Sequence, residues 1–157
     1  MSYRSNPNPN DIPHARPLLH PSVVPSLEKW HQMVETSDLS ALPSIVHADA
    51  VFRSPMAIHP YESRAAVVLV LSTVVTIFKD FTYYRTLVSP DGLSVILEFS
   101  ANVNDKKLKG VDLIRFGEDG LIREFEVMVR PLSGLQELGG EMGKRLREKL
   151  PKFKGKL

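Results

Sequence analysis

No cysteine occurs in the 157 residues. That excludes a disulfide framework, a thiolate zinc site and a cysteine nucleophile, and it makes a reducing compartment, the cytoplasm, the expected setting. Long apolar runs are missing too. The longest, residues 65–78, includes Ser72, Thr73 and Thr76; a bilayer span needs roughly 20 apolar residues, so this run reads as a buried element and no membrane partner is expected. The first twenty residues hold Pro7, Pro9, Pro13 and Pro17 but no apolar stretch, so no secretory signal is expected. A glycine-rich phosphate loop is also missing. Gly117 and Gly120 belong to a turn, and Gly139-Gly140 follows no strand, so no nucleotide cofactor is expected. The five histidines are scattered, and neither a metal nor any other cofactor is expected.

Charge of one sign is scarce except at the end. From Gly143 onward there are seven basic residues and one acid, Glu148, while the remainder carries 13 basic against 17 acidic residues. A mildly acidic body with a basic tail is not a nucleic-acid footprint, which would place a basic stripe on a folded face. With 43% hydrophobic and 24% charged residues, the rest is ordinary for one globular domain.

The apolar pattern divides that domain into helices first and strands after. Residues 1–21 read as a disordered or clamping arm, because their prolines lack donors and they have little to bury. Val23, Leu27, Trp30 and Val34 then recur at helical spacing, with Pro25 or Ser26 as the start and Ser37-Asp38 as the stop. A shorter helix runs through Leu42, Ile45 and Val46, with Pro43 tolerable in its first turn. Residues 50–53 form a short strand stopped by Ser54-Pro55, and an irregular loop, 56–61, follows. The run 65–78 fits a buried helix or a long buried strand; its length favours the helix, with Ser63 as N-cap. Four strands follow, 81–88, 93–103, 107–116 and 121–129, separated by Pro90-Asp91-Gly92, Asn104-Asp105 and Glu118-Asp119-Gly120. Residues 133–150 look weakly helical, frayed by Gly139, Gly140 and Gly143. The domain proper is expected over 22–135, with a basic helix or tail over 136–157. Helices followed by an antiparallel meander place the chain in the α+β class, a curved sheet wrapped around helices.

The segment Gly110-Val111-Asp112-Leu113-Ile114-Arg115-Phe116, followed by Glu118-Asp119-Gly120-Leu121-Ile122, resembles the closing hairpin of the nuclear transport factor 2-like (SnoaL-like) superfamily. That hairpin is an apolar strand ending in Arg-Phe, an acidic-Gly turn, then an Ile opening a second strand. The resemblance spans about residues 25 to 135 and implies a cone-shaped, cystatin-like α+β fold, a curved antiparallel sheet around three helices. It also implies a homodimer. The superfamily hosts isomerases, dehydratases, polyketide cyclases, epoxide hydrolases and plain binding proteins, so the fold alone does not name an activity. Ketosteroid isomerase is a member whose site can be carried over. Its helix tyrosine falls at Trp30, its general base at Ser54, and its protonated strand aspartate at Asp112. Only the last is retained, so that enzyme's own chemistry is not expected. An acid–base role for Asp112 stays open, because SnoaL-like polyketide cyclases use an acid in the same part of the sheet.

Two-residue alternation puts Gly110, Asp112, Ile114 and Phe116 on one strand face. If that face meets the helices, Asp112 lies in an apolar concavity and desolvation raises its pKa. The competing reading is a structural aspartate tied to an arginine or to the backbone. Register decides its neighbours. A two-residue Asn104-Asp105 turn pairs Leu97 with Asp112 and leaves Glu98 outside, whereas a three-residue loop would place Glu98 opposite Asp112. The first is favoured, because it puts Val95, Leu97 and Phe99 inside.

Among the histidines, His14 and His20 fall in the arm, His31 lies off the apolar stripe and reads as a surface residue, and His47 complements a helix end. His59, in the loop expected to close the cone's mouth, is the candidate general base, with Tyr61 as a hydrogen-bond donor. Of Tyr83 and Tyr84, alternation sends one inward. The outer sheet face, with Ile96, Val111, Leu113 and Met128, is apolar enough to expect a homodimer. The expected site is a conical pocket for a small, mostly apolar or carbonyl-bearing molecule. Trp30, Ser54, Val95, Leu97, Phe99, Phe125, Val127 and Val129 would form its walls, with Asp112, His59 and Tyr61 for proton transfer. The alternative is a non-catalytic binding or dimerisation module, in which Asp112 is paired to an arginine and the cone is packed shut.

Overall fold

The structure is a computed structural model that describes residues 15–149. The expectations for residues 1–14, including His14, and for the end of the basic tail, residues 150–157, lie outside the described residues. Helix α1 spans Val23–Thr36. Pro25 sits in its first turn, where a missing N–H costs nothing. Ser37 ends it in the left-handed conformation (φ 55°), its N–H bonding back to Val34. A 3-10 turn, Leu42–Ile45, takes the place of the expected second helix and leads into β1, Val46–Arg53. The short strand β2, Tyr61–Glu62, pairs antiparallel with β1. The apolar run is resolved as helix: α2 covers Arg64–Val74, and the Ser63 hydroxyl accepts from the Ala66 N–H at 3.2 Å, the expected N-cap.

Four long strands follow: β3 Lys79–Val88, β4 Ser94–Val103, β5 Lys106–Phe116 and β6 Ile122–Arg130. They form one open, curved sheet in the order β2-β1-β6-β5-β4-β3. One expectation needs correcting. The sheet is mixed, not wholly antiparallel, because β1 runs parallel to β6. β1 is reached after a helix, with no hairpin to reverse it against its neighbour, so a parallel pairing is available at that edge. The three helices pack against the concave face, and Leu27, Val67, Leu97, Ile114, Phe116 and Phe125 are fully buried between the layers. Each such side chain stabilises the fold by about 1.5–3 kcal/mol relative to exposure.

The C-terminal segment also differs from expectation. Helix α3 is continuous over Leu132–Lys149 despite its glycines. At Gly139 a Cβ would lie 2.5 Å from the Met56 side chain. That glycine lets the helix press onto the 54–57 loop, so tertiary packing overrides its poor propensity. At the other end, the chain ahead of α1 is held to the body: Leu19 is buried and the His20 N–H donates to the Gly92 carbonyl at 3.0 Å.

Gly110 tests the packing of the two central strands. It faces Phe99 across the β4–β5 pair, and a Cβ there would lie 2.5 Å from the Met128 carbonyl and 2.6 Å from the Phe99 ring. Gly110→Ala is expected to lower stability in urea unfolding by about 1–3 kcal/mol. Gly140→Ala, whose Cβ meets nothing within 4 Å, should be neutral or stabilising by up to about 1 kcal/mol.

Candidate active site

The concave face and the three helices enclose a cavity of about 500 Å³. Helix α1 contributes Trp30, His31, Val34 and Glu35, and the sheet contributes Phe52, Tyr83, Asp112, Phe125 and Val127. Helices α2 and α3 close it with Val70, Leu71, Val74, Leu138, Met142 and Leu146. The rim residues Glu35, Ser37, Asp80 and Arg147 are exposed. An apolar interior with a polar rim and a few polar groups inside is the usual design of a small-molecule site.

Asp112 is 5% exposed and faces this cavity. The β4–β5 register pairs it with Leu97, as the two-residue turn requires, and Asn104 takes up the left-handed conformation (φ 52°) in that turn. Glu98 is therefore on the outer face, held by Arg85 at 2.6 Å and Lys109 at 3.1 Å. Burial pushes Glu98 up, but those two cations more than offset it and leave its carboxyl below the usual range. Among the described residues, Asp112 has no cation beside it. Its Oδ2 accepts a 2.5 Å hydrogen bond from the Tyr83 hydroxyl, and the Tyr83 oxygen accepts one of 3.0 Å from the Trp30 indole N–H. The other oxygen, Oδ1, has no hydrogen-bond partner among the described residues. Desolvation raises the Asp112 pKa from 3.8 to about 7, with the Tyr83 hydrogen bond pulling the other way. Tyr83 itself is pushed well above its ordinary value, by burial first and by the Asp112 charge second.

The phenol that supports this acid thus comes from β3 and not from the first helix. Alternation sends Tyr83 inward, while Tyr84 bonds Ser100 on the other face. Trp30, where ketosteroid isomerase resemblance places a tyrosine, donates to that phenol instead of to the cavity.

Two histidine readings change. His31 is not a surface residue. It is 3% exposed, lines the cavity and meets the Tyr83 ring edge-on at 5.3 Å. The buried arc of α1 is wider than its apolar stripe, because the Tyr83 ring of β3 packs against the imidazole. The Nδ1 atom of His31 is sealed without a hydrogen-bond partner, and desolvation lowers its pKa to about 4. His59 is exposed and off the cavity wall, because the loop folds inward at Ser54–Ala57 and turns its far end to solvent. Tyr61 is buried on the wall, and burial raises its pKa.

The remaining wall residues divide. Trp30, Ser54, Phe125 and Val127 line the cavity. Val95, Leu97 and Phe99 are core beneath it. Phe81 stacks on Phe99 at 4.9 Å and Phe78 lies 5.7 Å from it, so these two rings form the wall in its place. Val129 is half-buried against the core and away from the cavity. The Ser54 hydroxyl accepts from the Met56 N–H at 3.0 Å, which shapes the loop. Among the described residues, no cluster of three His, Asp or Glu side chains is placed to hold a metal, and no helix is long and apolar enough to cross a membrane.

Comparison with known families matches residues 27–125 to the model of the SnoaL-like domain. A crystal structure described as a steroid delta-isomerase from Pseudomonas aeruginosa shares 54% identity over 85% of this chain and 97% of its own, with a TM-score of 0.83. An uncharacterised protein with a cystatin-like fold from Silicibacter pomeroyi shares 29% identity over 87% of this chain and 92% of its own, TM-score 0.75. An NTF2-like protein of unknown function from Mesorhizobium loti, at 20% identity, covers 71% of this chain and 93% of its own, TM-score 0.63, and supports the fold alone. Comparison with curated proteins returns no match.

Asp112 and His31 impose opposite pH dependences on stability. Asp112 is raised in the folded state, so its contribution is fully present below the unfolded pKa of 3.8 and is lost as pH rises towards about 7. His31 is lowered, so its contribution is present above 6.5 and is lost as pH falls towards about 4. Between those limits the two slopes, each about 1.4 kcal/mol per pH unit, oppose one another. Relative to wild type, Asp112→Asn should gain stability with rising pH and His31→Gln should lose it, in urea unfolding at a series of pH values. Curves parallel to wild type would show that burial shifts neither group. Tyr83→Phe removes the hydrogen bond that favours the carboxylate, so carboxyl-detected NMR titration should place Asp112 above about 7.

Proposed function

This chain belongs to the SnoaL-like domain family, and from that we propose that its cavity binds a small, mostly apolar carbonyl compound and catalyses a cofactor-independent proton transfer in which Asp112 is the acid. The observation that carries this reading is the Asp112 carboxyl itself: buried in the cavity wall, hydrogen-bonded by a phenol and, among the described residues, paired with no cation. A carboxyl clamped by an arginine would suit a non-catalytic module. One held by a neutral phenol keeps its proton near neutral pH and can donate it.

In the bound state the Asp112 hydroxyl donates to the ligand carbonyl oxygen. Polarising that carbonyl makes the adjacent C–H acidic; its proton passes to a carboxylate of the cavity rim, Glu35 or Asp80, and the resulting enolate oxygen takes the shared proton from Asp112. Negative charge then moves onto the carboxylate, where the Tyr83 hydroxyl already donates to Oδ2 and the Trp30 N–H reinforces Tyr83. The rim carboxylate returns its proton to the far carbon of the dienol while the enol oxygen returns the shared one to Asp112, which completes an isomerisation. The same enol step serves aldol-type cyclisation or dehydration. The steroid delta-isomerase described for the Pseudomonas aeruginosa relative supports the isomerase form. Tyr61, on the same wall, is a second donor. His59, exposed and outside the cavity, plays no part in this reading.

The test is a rate assay on β,γ-unsaturated ketones, following ultraviolet absorbance as the double bond moves into conjugation. Asp112→Asn should slow turnover by roughly 10²–10⁴-fold, and the wild-type rate should fall as pH rises through about 7, where the acid loses its proton. A variant as fast as wild type would end the reading.

The outer sheet face supports a homodimer as the working assembly. Leu87 and Met128 are about half exposed there (49% and 53%), beside Ile96 and Val111. Sedimentation should give twice the chain mass, and Met128→Lys should shift it towards the monomer. A monomeric wild type would refute this assembly.

A further inference from the structure

We propose that His31 is a specificity-determining contact whose Nε2–H donates a hydrogen bond to a second oxygen function of the ligand, so that the substrate is an apolar carbonyl compound with two separated acceptors. This rests on the carbonyl reading of the site and deepens it.

The imidazole is a member of the cavity wall yet almost fully buried, so the little of it that is open faces the cavity. Its Nδ1 is sealed and meets no donor or acceptor. Nε2 has no partner among the described residues and is not sealed, so it is the nitrogen that opens on the cavity. A neutral imidazole carries its one proton on either nitrogen. Placing it on Nδ1 would bury an N–H with no acceptor, and orphaned N–H groups are the rarer and costlier case. Placing it on Nε2 leaves only a lone pair sealed and presents an N–H to the ligand. The ring cannot swing away readily, because it packs edge-on against Tyr83, whose hydroxyl is committed to Asp112. The lowered His31 pKa agrees with this, since a second proton would have to occupy the sealed Nδ1.

Besides the Tyr61 phenol on β2, the cavity interior therefore offers the Asp112 hydroxyl on β5 and the His31 Nε2–H on α1, separated by Tyr83 and set in largely apolar walls. A ligand with one carbonyl satisfies Asp112 and leaves His31 unmet. A site built to hydrogen-bond an oxygen discriminates against the analogue that lacks it, because the buried group is then left unpaired. The second oxygen is consequently a selection device and not a reacting atom.

Two measurements test this. Heteronuclear NMR of the imidazole nitrogens in the ligand-free protein should report His31 as the neutral Nε2–H tautomer; an Nδ1–H tautomer or an imidazolium at neutral pH would overturn the proposal. Binding is then compared by calorimetry for β-decalone and for the decalin dione bearing a second carbonyl on the far ring. Wild type should bind the dione roughly tenfold more tightly. His31→Phe should equalise the two, and His31→Gln, which keeps a side-chain N–H, should restore most of the preference. A wild-type ratio near one, or a ratio that survives His31→Phe, overturns the proposal. Asp112→Asn should weaken both ketones alike. If it weakens neither while the His31-dependent preference holds, the proton-transfer reading falls and the His31 assignment stands. If neither ketone binds, the carbonyl reading falls and this assignment of substrate falls with it.

Discussion

The register of the β4–β5 hairpin is the constraint on which the rest depends. Its pairing runs without a slip from Ser94 opposite Arg115 to Val103 opposite Lys106. A shift of one residue would turn Asp112 to the outside and bring Val111 and Leu113 into the cone. The turn that fixes the register is itself fixed. Asn104 accepts the left-handed conformation and its side-chain amide donates to Glu137 at 2.7 Å and Glu141 at 3.2 Å on α3. The helix that closes the cavity is thereby tied to the hairpin that furnishes its acid. On the opposite face the same register places Glu98 between Arg85 and Lys109, so Glu98 and Asp112 meet opposite environments one strand apart.

Those environments explain the electrostatics. Glu98 is ionised because cations and solvent are within reach. Asp112 is raised to about 7 because burial in largely aromatic and aliphatic walls outweighs its hydrogen bond from a phenol. His31 obeys the same rule with the opposite sign of charge, so an interior that keeps an acid protonated also keeps an imidazole neutral. A cavity furnished with neutral donors suits a neutral, oxygen-bearing ligand.

Much of this was legible in the residues. The Val23, Leu27 and Trp30 stripe announced α1, Ser63 announced the start of α2, and the turn residues Asn104-Asp105 and Asp119-Gly120 fixed two hairpins. Alternation along 110–116 grouped Asp112 with Gly110, Ile114 and Phe116 on one face, and packing showed that face to be the inner one. The pocket's other polar members were harder. Tyr83 could be narrowed to one of two tyrosines, but its reach to Asp112 spans two strands and depends on sheet curvature. His31 lay off the stripe and gave no sign of burial, because what covers it is β3, far along the chain. Phe78 and Phe81 displaced Phe99 from the wall for the same reason. The parallel pairing of β1 with β6 joins residues some seventy positions apart, and no local pattern encodes it.

Sequence by itself determined most of the local elements and which side chains share a strand face with Asp112, because periodicity and turn chemistry act over a few residues. Tertiary structure decided what surrounds that acid: which phenol holds it, which imidazole shares its cavity and which helix closes it. Those are contacts between distant segments, and they follow from how the sheet curves and how the helices are pressed onto it, where side-chain volume and desolvation outweigh any local preference.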